Sequence, residues 1–117
     1  MKVFVYGTLK RGYHNNVLLS NAKFLEEKTL PGFKLYNAGF PVARESPGDS
    51  IFGEVFEIAD NDKNTLRNLD RLEGEGRMYH RKEVDDVQLY VGYSDFWDFH
   101  RMPICPKKED GSYIWNR

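Results

Sequence analysis

The sequence predicts an α+β fold, a small mixed β-barrel of about five to seven strands flanked by one or two helices. Three observations lead there. Short runs of alternating apolar and polar residues recur along most of the 117-residue chain. One segment past the middle carries leucines at helical spacing. No regular strand–helix–strand array is visible, which separates the chain from doubly wound α/β proteins. So many strands in so short a chain favour a strongly curled sheet. The length fits one domain over 1–117, large enough to bury a core without disulfides or a structural metal.

The elements follow in order. Residues 2–6, "KVFVY", alternate and are β-branched or aromatic, the pattern of a strand. "HNNVLLSNA" at 14–22 reads as a short helix with Asn15 or Asn16 as its cap. "KFLEEKTL" at 23–30 reads as extended, closed by a turn at Pro31-Gly32. Two short strands flank Asn37-Ala38-Gly39, "SPGD" reads as a further turn, and 51–58 as another strand. Asp60 is then placed to cap a helix over about 61–72, with Leu66, Leu69 and Leu72 on one face and Gly74 ending it. Two more strands, "MYHRKEV" and "VQLYVGYS", lie either side of Asp85-Asp86. From residue 95 the pattern fades into aromatics, prolines and charge.

Composition narrows the function. Seventeen basic against eighteen acidic residues give a formal net charge of -1, whereas a protein that holds a nucleic-acid backbone usually carries a clear basic excess. Nucleic acid is therefore not an expected partner. No basic leader precedes an apolar stretch, and no apolar run approaches membrane-spanning length, so the expectation is a soluble cytoplasmic protein with no membrane partner. Cys105 is the only cysteine, which leaves no intrachain disulfide. His14, His80 and His100 have no metal-ligand spacing, and no serine sits in a nucleophile elbow, so neither a metal nor a cofactor is expected.

Two segments stand out. In "VYGTLKRG" a glycine follows directly on the first strand. The segment is not a phosphate-binding P-loop, because no Ser or Thr follows a Gly-Lys pair, and it lacks the glycine order of a dinucleotide fingerprint. It is either an ordinary turn or a nest of N–H groups that holds a small anion such as a carboxylate. In "LDRLEGEGRMYHR" at 69–81, Glu73 falls at the end of the helix, near its negative pole, where the ionised form is disfavoured. It is either a solvated surface residue or, under aromatic cover, an acid/base with a raised pKa. In the Tyr-rich strand Tyr93 is placed either in the core or with its hydroxyl toward a pocket.

Together these segments resemble the γ-glutamylcyclotransferase-like family, and most closely its γ-glutamylamine cyclotransferase, AIG2-like branch. The likeness runs through "VYGTLKRG" at 5–12, "GFKLYNAGFPVA" at 32–43, "GEVFEI" at 53–58 and "LDRLEG…YHR" at 69–81, in order over about residues 3–93. The resemblance implies a compact mixed barrel, substrate binding by Tyr6, Gly7, Thr8 and Leu9, and proton transfer by Glu73, with Glu75 a nearby alternative. The tail at 96–117 matches no pattern of the family; tails of this kind commonly close the substrate pocket.

The implied reaction is unusual in what it leaves out. In a γ-glutamyl amide the substrate's own α-amino group reaches the γ-carbonyl, closes a five-membered ring and releases 5-oxoproline and an amine. The nucleophile is internal, and orientation alone supplies much of the rate. Backbone N–H groups at 7–9 would hold the carboxylate and polarise the carbonyl. The implied partner is a small γ-glutamyl amine or γ-glutamyl amino acid. The alternatives are another amide or acylated metabolite in the same pocket, or a non-catalytic ligand or interaction domain.

Overall fold

In the computed structural model, which describes residues 1–116, the order of elements is β1 (Lys2–Val5), a 3₁₀ turn (His14–Leu19), β2 (Lys23–Asn37), β3 (Pro41–Glu57), α1 (Lys63–Glu73), β4 (Tyr79–Val84), β5 (Val87–Gly92) and a second 3₁₀ turn (Phe99–Arg101). The strands form one sheet in the order β2-β3-β1-β5-β4. The β1–β5 pair is parallel and the rest are antiparallel, so the sheet is mixed as expected. It does not close into a barrel: β2 and β4 remain edges.

Alternation along β1 explains how the sheet is covered. Phe4 and Tyr6 point to one face, where they join Leu35, Ile51, Leu89 and Trp115. Val3 and Val5 point to the other, with Leu19, Leu69 and Phe99. The last part of the tail, with Cys105, Tyr113 and Trp115, thus covers the first face, while α1, the first 3₁₀ turn and the Phe99 turn cover the second. The tail is anchored through its backbone, since Cys105 N–H donates to Leu35 O at 2.9 Å and Tyr113 N–H to Ser50 O at 2.9 Å.

Several local expectations shift. Pro31-Gly32 does not end a strand; β2 runs on to Asn37, and the irregularity becomes a register break between Pro31 and Phe33. "SPGD" is the matching excursion on β3, where the ladder passes from Pro31↔Ser50 to Phe33↔Glu45 and Ser46 Oγ donates to Asp49 Oδ2 at 2.5 Å. A turn signal inside a long hairpin is absorbed as a bulge. The helix is capped by Asp62 and not by Asp60, because Asp62 Oδ1 accepts from both Asn64 N–H (3.1 Å) and Thr65 N–H (3.0 Å). Gly74 ends it as expected, in the left-handed conformation at φ 60°. Asp85 and Asp86 take φ 50° and 68°, the geometry of a tight two-residue hairpin turn of the primed type. Among the described residues no helix is long and apolar enough to cross a membrane.

Candidate active site

The end of β1 leads straight into the first wall of the site. Tyr6, Gly7, Thr8 and Leu9 all line a cavity of about 520 Å³. Glycine is required at position 7 by close approach, since a Cβ there would lie 2.5 Å from Pro41 Cγ. The carbonyls of the loop are all tied back. Lys10 N–H donates to Gly7 O (3.0 Å), Asn15 N–H to Thr8 O (3.0 Å) and Asn16 Nδ2 to Leu9 O (2.8 Å). By contrast, the N–H groups of Gly7, Thr8 and Leu9 make no hydrogen bond among the described residues. Three donors without acceptors at one cavity wall form a ready anion site.

The sequence offers Asn15 or Asn16 as a helix cap. Instead they clip this loop: Asn15 Nδ2 donates to Thr8 Oγ1 at 2.9 Å, while no side chain caps the 3₁₀ turn that follows. Because Thr8 Oγ1 accepts that bond, its own hydroxyl proton is available to a ligand.

Glu73 lines the same cavity. As the last residue of α1 it is fixed by the Gly74 cap, with Gly74 N–H returning to Arg71 O. Its carboxyl has no hydrogen-bond or ion-pair partner among the described residues, and burial raises its pKa from the usual 4.5 to about 7. The company it keeps explains the isolation. Tyr6, Tyr79 and Tyr90 also line the cavity; burial raises all three phenol pKa values, and the Glu73 charge adds to each. Yet every one of these hydroxyls gives its proton elsewhere. Tyr6 donates to Tyr90 O, Tyr79 to Pro41 O at 3.1 Å and Tyr90 to Asp70 Oδ1 at 2.6 Å. Asp70 is held in turn by Arg81, whose Nε lies 3.3 Å away. None of the three phenol protons is therefore given to Glu73, and the carboxylate gains no donor from them.

The far wall comes from the tail. Trp115 lines the cavity and packs on Tyr13, ring centroids 5.5 Å apart. Lys10, only 4% exposed, donates from Nζ to Trp115 O at 2.9 Å and so latches the tail to the loop. Burial lowers the Lys10 pKa, and the neighbouring Glu54 opposes that shift. Glu54 is itself held by Arg11, through N–H to Oε1 (2.8 Å) and Nε to Oε2 (3.3 Å).

The structure thus brings Tyr6, Gly7, Thr8, Leu9 and Glu73 to one cavity. It does not bring Tyr93, which lies just past β5 with its ring against His80 at 4.7 Å. Glu75 is exposed and off the cavity. Tyr79, Tyr90 and Trp115 also line the cavity and Lys10 stands behind Trp115, and the sequence pattern singles out none of the four. For the tyrosines the signal was present, as inward positions on the paired strands β4 and β5; for Trp115 and Lys10 none was local. Cys105 is buried with its thiol pKa pushed up to about 11, which keeps it a thiol at neutral pH. No cluster of three or more metal-ligating side chains occurs among the described residues.

The mixed sheet thus sets a carboxyl without a partner and unpaired backbone amides on one cavity of small-molecule size. The family described as "Gamma-glutamyl cyclotransferase, AIG2-like" matches residues 3–113. The chain is 35% identical to the γ-glutamylcyclotransferase family protein YtfP of Escherichia coli K12, over 97% of this chain and 96% of that one. It is 40% identical to a putative γ-glutamylcyclotransferase of Methanocaldococcus jannaschii, over 73% of this chain and 71% of the relative. The crystal structure of an AIG2-like protein from Mus musculus superimposes with a TM-score of 0.71 at 26% identity, covering 99% of this chain and 95% of that one. The chain belongs to the γ-glutamyl cyclotransferase, AIG2-like family.

Proposed function

We propose that this protein cyclises a γ-glutamyl amide to 5-oxoproline and releases the free amine, with Glu73 as the proton carrier. One observation carries the reading: a carboxyl with its pKa raised to about 7 shares a cavity with three backbone donors that lack acceptors. A group poised near neutrality takes and gives protons with equal ease.

In this mechanism the N–H groups of Gly7, Thr8 and Leu9 bind the oxygens of the glutamyl group. The ionised Glu73 takes a proton from the substrate's α-ammonium. The freed nitrogen pair attacks the γ-carbonyl carbon, and the new C–N bond closes the ring through a tetrahedral oxyanion. As the oxyanion collapses, Glu73 gives its proton to the departing nitrogen and the old C–N bond breaks; the ring nitrogen then loses its second proton to Glu73, which passes it to the released amine, leaving neutral 5-oxoproline and an ammonium. No water is consumed, and Glu73 ends as it began. Because the nucleophile belongs to the substrate, no side-chain nucleophile or cofactor enters the sequence of steps.

The test is to incubate the protein with a panel of γ-glutamyl amides and amino acids and measure 5-oxoproline. Glu73→Gln should lower turnover by about 10²–10⁴-fold. Comparable turnover by variant and wild type removes Glu73 from the mechanism, and a panel without 5-oxoproline removes the reaction.

A further inference from the structure

The three phenols that share a cavity with Glu73 do not dispose of their protons by equal means. Tyr6 and Tyr79 donate to backbone carbonyls, those of Tyr90 and Pro41, which the sheet holds in place. Tyr90 donates to a side chain, Asp70 Oδ1 at 2.6 Å. Of the three protons, only this one depends on what residue stands at one position of α1.

Asp70 and Glu73 lie three residues apart on α1, which makes them neighbours on one surface of the helix. The Tyr90 hydroxyl is bonded to the first and lines the same cavity as the second. Burial and then the bond to Asp70 raise its pKa, and the Glu73 charge adds to them, so the two groups act on each other. Arg81 completes the arrangement from β4. Its Nε stands 3.3 Å from the same Asp70 Oδ1, yet that buried nitrogen makes no hydrogen bond among the described residues. The guanidinium therefore holds Asp70 by charge and leaves the bond at Oδ1 to Tyr90.

Without Asp70, a hydroxyl on a residue only 4% exposed would lose its acceptor. The strongest acceptor lining the cavity is the Glu73 carboxylate, and a bond to it would be charge-assisted and would favour the ionised form. The other titratable groups on the cavity are His14 from the first 3₁₀ turn, Tyr6 from β1 and Tyr79 from β4. Arg77 lies against the Phe96 ring, 5.5 Å from its centroid, and Lys10 donates to the Trp115 carbonyl.

We propose that Asp70, held by Arg81, is a positioning residue for the proton carrier: it takes the Tyr90 proton and so keeps that hydroxyl from donating to the Glu73 carboxylate. The proposal rests on the reading of Glu73 given above. Its test follows the Glu73 carboxyl by carbon NMR, in protein labelled at the glutamate side-chain carboxyls, with the signal assigned by its loss in Glu73→Gln. Asp70→Ala should titrate about one unit below the double variant Asp70→Ala/Tyr90→Phe, because both lack the same charge and only the first has a hydroxyl free to turn. Equal values overturn the proposal. In the wild-type background Tyr90→Phe should leave the Glu73 titration within about 0.3 unit. A rise of about one unit would mean that Tyr90 already donates to Glu73, which overturns it as well. Asp70→Asn keeps an acceptor for the phenol, so Glu73 should titrate alike with and without the Tyr90 hydroxyl. This pair decides the matter if the alanine variants do not fold: equality supports the role of Asp70, and a difference overturns it.

Turnover separates this role from the reaction. Where 5-oxoproline forms, the acid limb of kcat/KM in Asp70→Ala should move down by the same unit or so as the carboxyl. If the carboxyl shifts as expected and no 5-oxoproline forms, the cyclisation reading fails alone. If 5-oxoproline forms and the titrations are equal, the positioning role fails alone.

Discussion

Replacing Glu73 with glutamine should cut 5-oxoproline formation by about 10²–10⁴-fold and at the same time make the protein more stable above neutral pH. Burial lifts the Glu73 carboxyl from 4.5 to about 7, so ionising it in the folded state works against folding. At 1.36 kcal/mol per pH unit that interval corresponds to about 3.4 kcal/mol, a ceiling. Glu73 is half-buried and opens on the cavity, so screening by solvent brings the expected effect down to about 1–2 kcal/mol. The folded chain holds this proton more tightly than the unfolded one. The stability it confers is therefore full below about pH 4.5 and is lost as pH rises through 7. Glutamine has no such loss, and its amide can donate to tyrosine oxygens whose own protons are engaged. Urea unfolding of both proteins at pH 5 and pH 8 measures the effect. The stability of the variant relative to wild type should grow by about 1–2 kcal/mol across that interval, because titrations common to both proteins cancel. Parallel pH dependences would show that the carboxyl is not desolvated, and the argument for its role as a proton carrier would go with it.

Other substitutions probe the walls. Gly7→Ala puts a Cβ 2.5 Å from Pro41 Cγ, and overpacking of this kind costs about 1–3 kcal/mol; binding of 5-oxoproline by calorimetry should weaken as well, and unchanged affinity would count against the loop. Lys10→Met leaves the Trp115 carbonyl unpaired in the interior, which should cost about 1–3 kcal/mol and raise KM more than it lowers kcat; unaltered stability and KM would show the latch to be dispensable. Asp85→Asn together with Asp86→Gly suits the left-handed turn between β4 and β5 and removes two adjacent like charges, so the unfolding midpoint should rise by the equivalent of about 0.5–1 kcal/mol; an unchanged midpoint in thermal unfolding would count against strain at the turn.

Legibility in the sequence followed the range over which each feature is determined. β1, the glycine loop, the Gly74 cap and the position of Glu73 are set by neighbours a few residues away, and pattern alone located them. The hairpin of β2 and β3 was cut short on paper because Pro31-Gly32 and "SPGD" are breakers taken one at a time. In the folded sheet the two irregularities face each other and are absorbed together. Asp62 outcompeted Asp60 because only its side chain reaches the amides of Asn64 and Thr65. Tyr93 was drawn to the pocket by its neighbours in a Tyr-rich strand, yet it lies past the end of β5, where the chain turns away. The tail was opaque because its order comes from partners dozens of residues distant. Barrel closure failed for a related reason: nothing in the pattern of β2 or β4 states that their outer edges lack a mutual partner.

The Lys10–Trp115 bond joins positions 105 residues apart. The glycine loop and Glu73 both precede in the chain the indole that walls their cavity, so during synthesis that wall is the last of the three to be made. A chain interrupted before that point carries the Glu73 carboxyl and the loop amides without the indole that encloses them. The cavity has all its walls only once Trp115 has been made and docked.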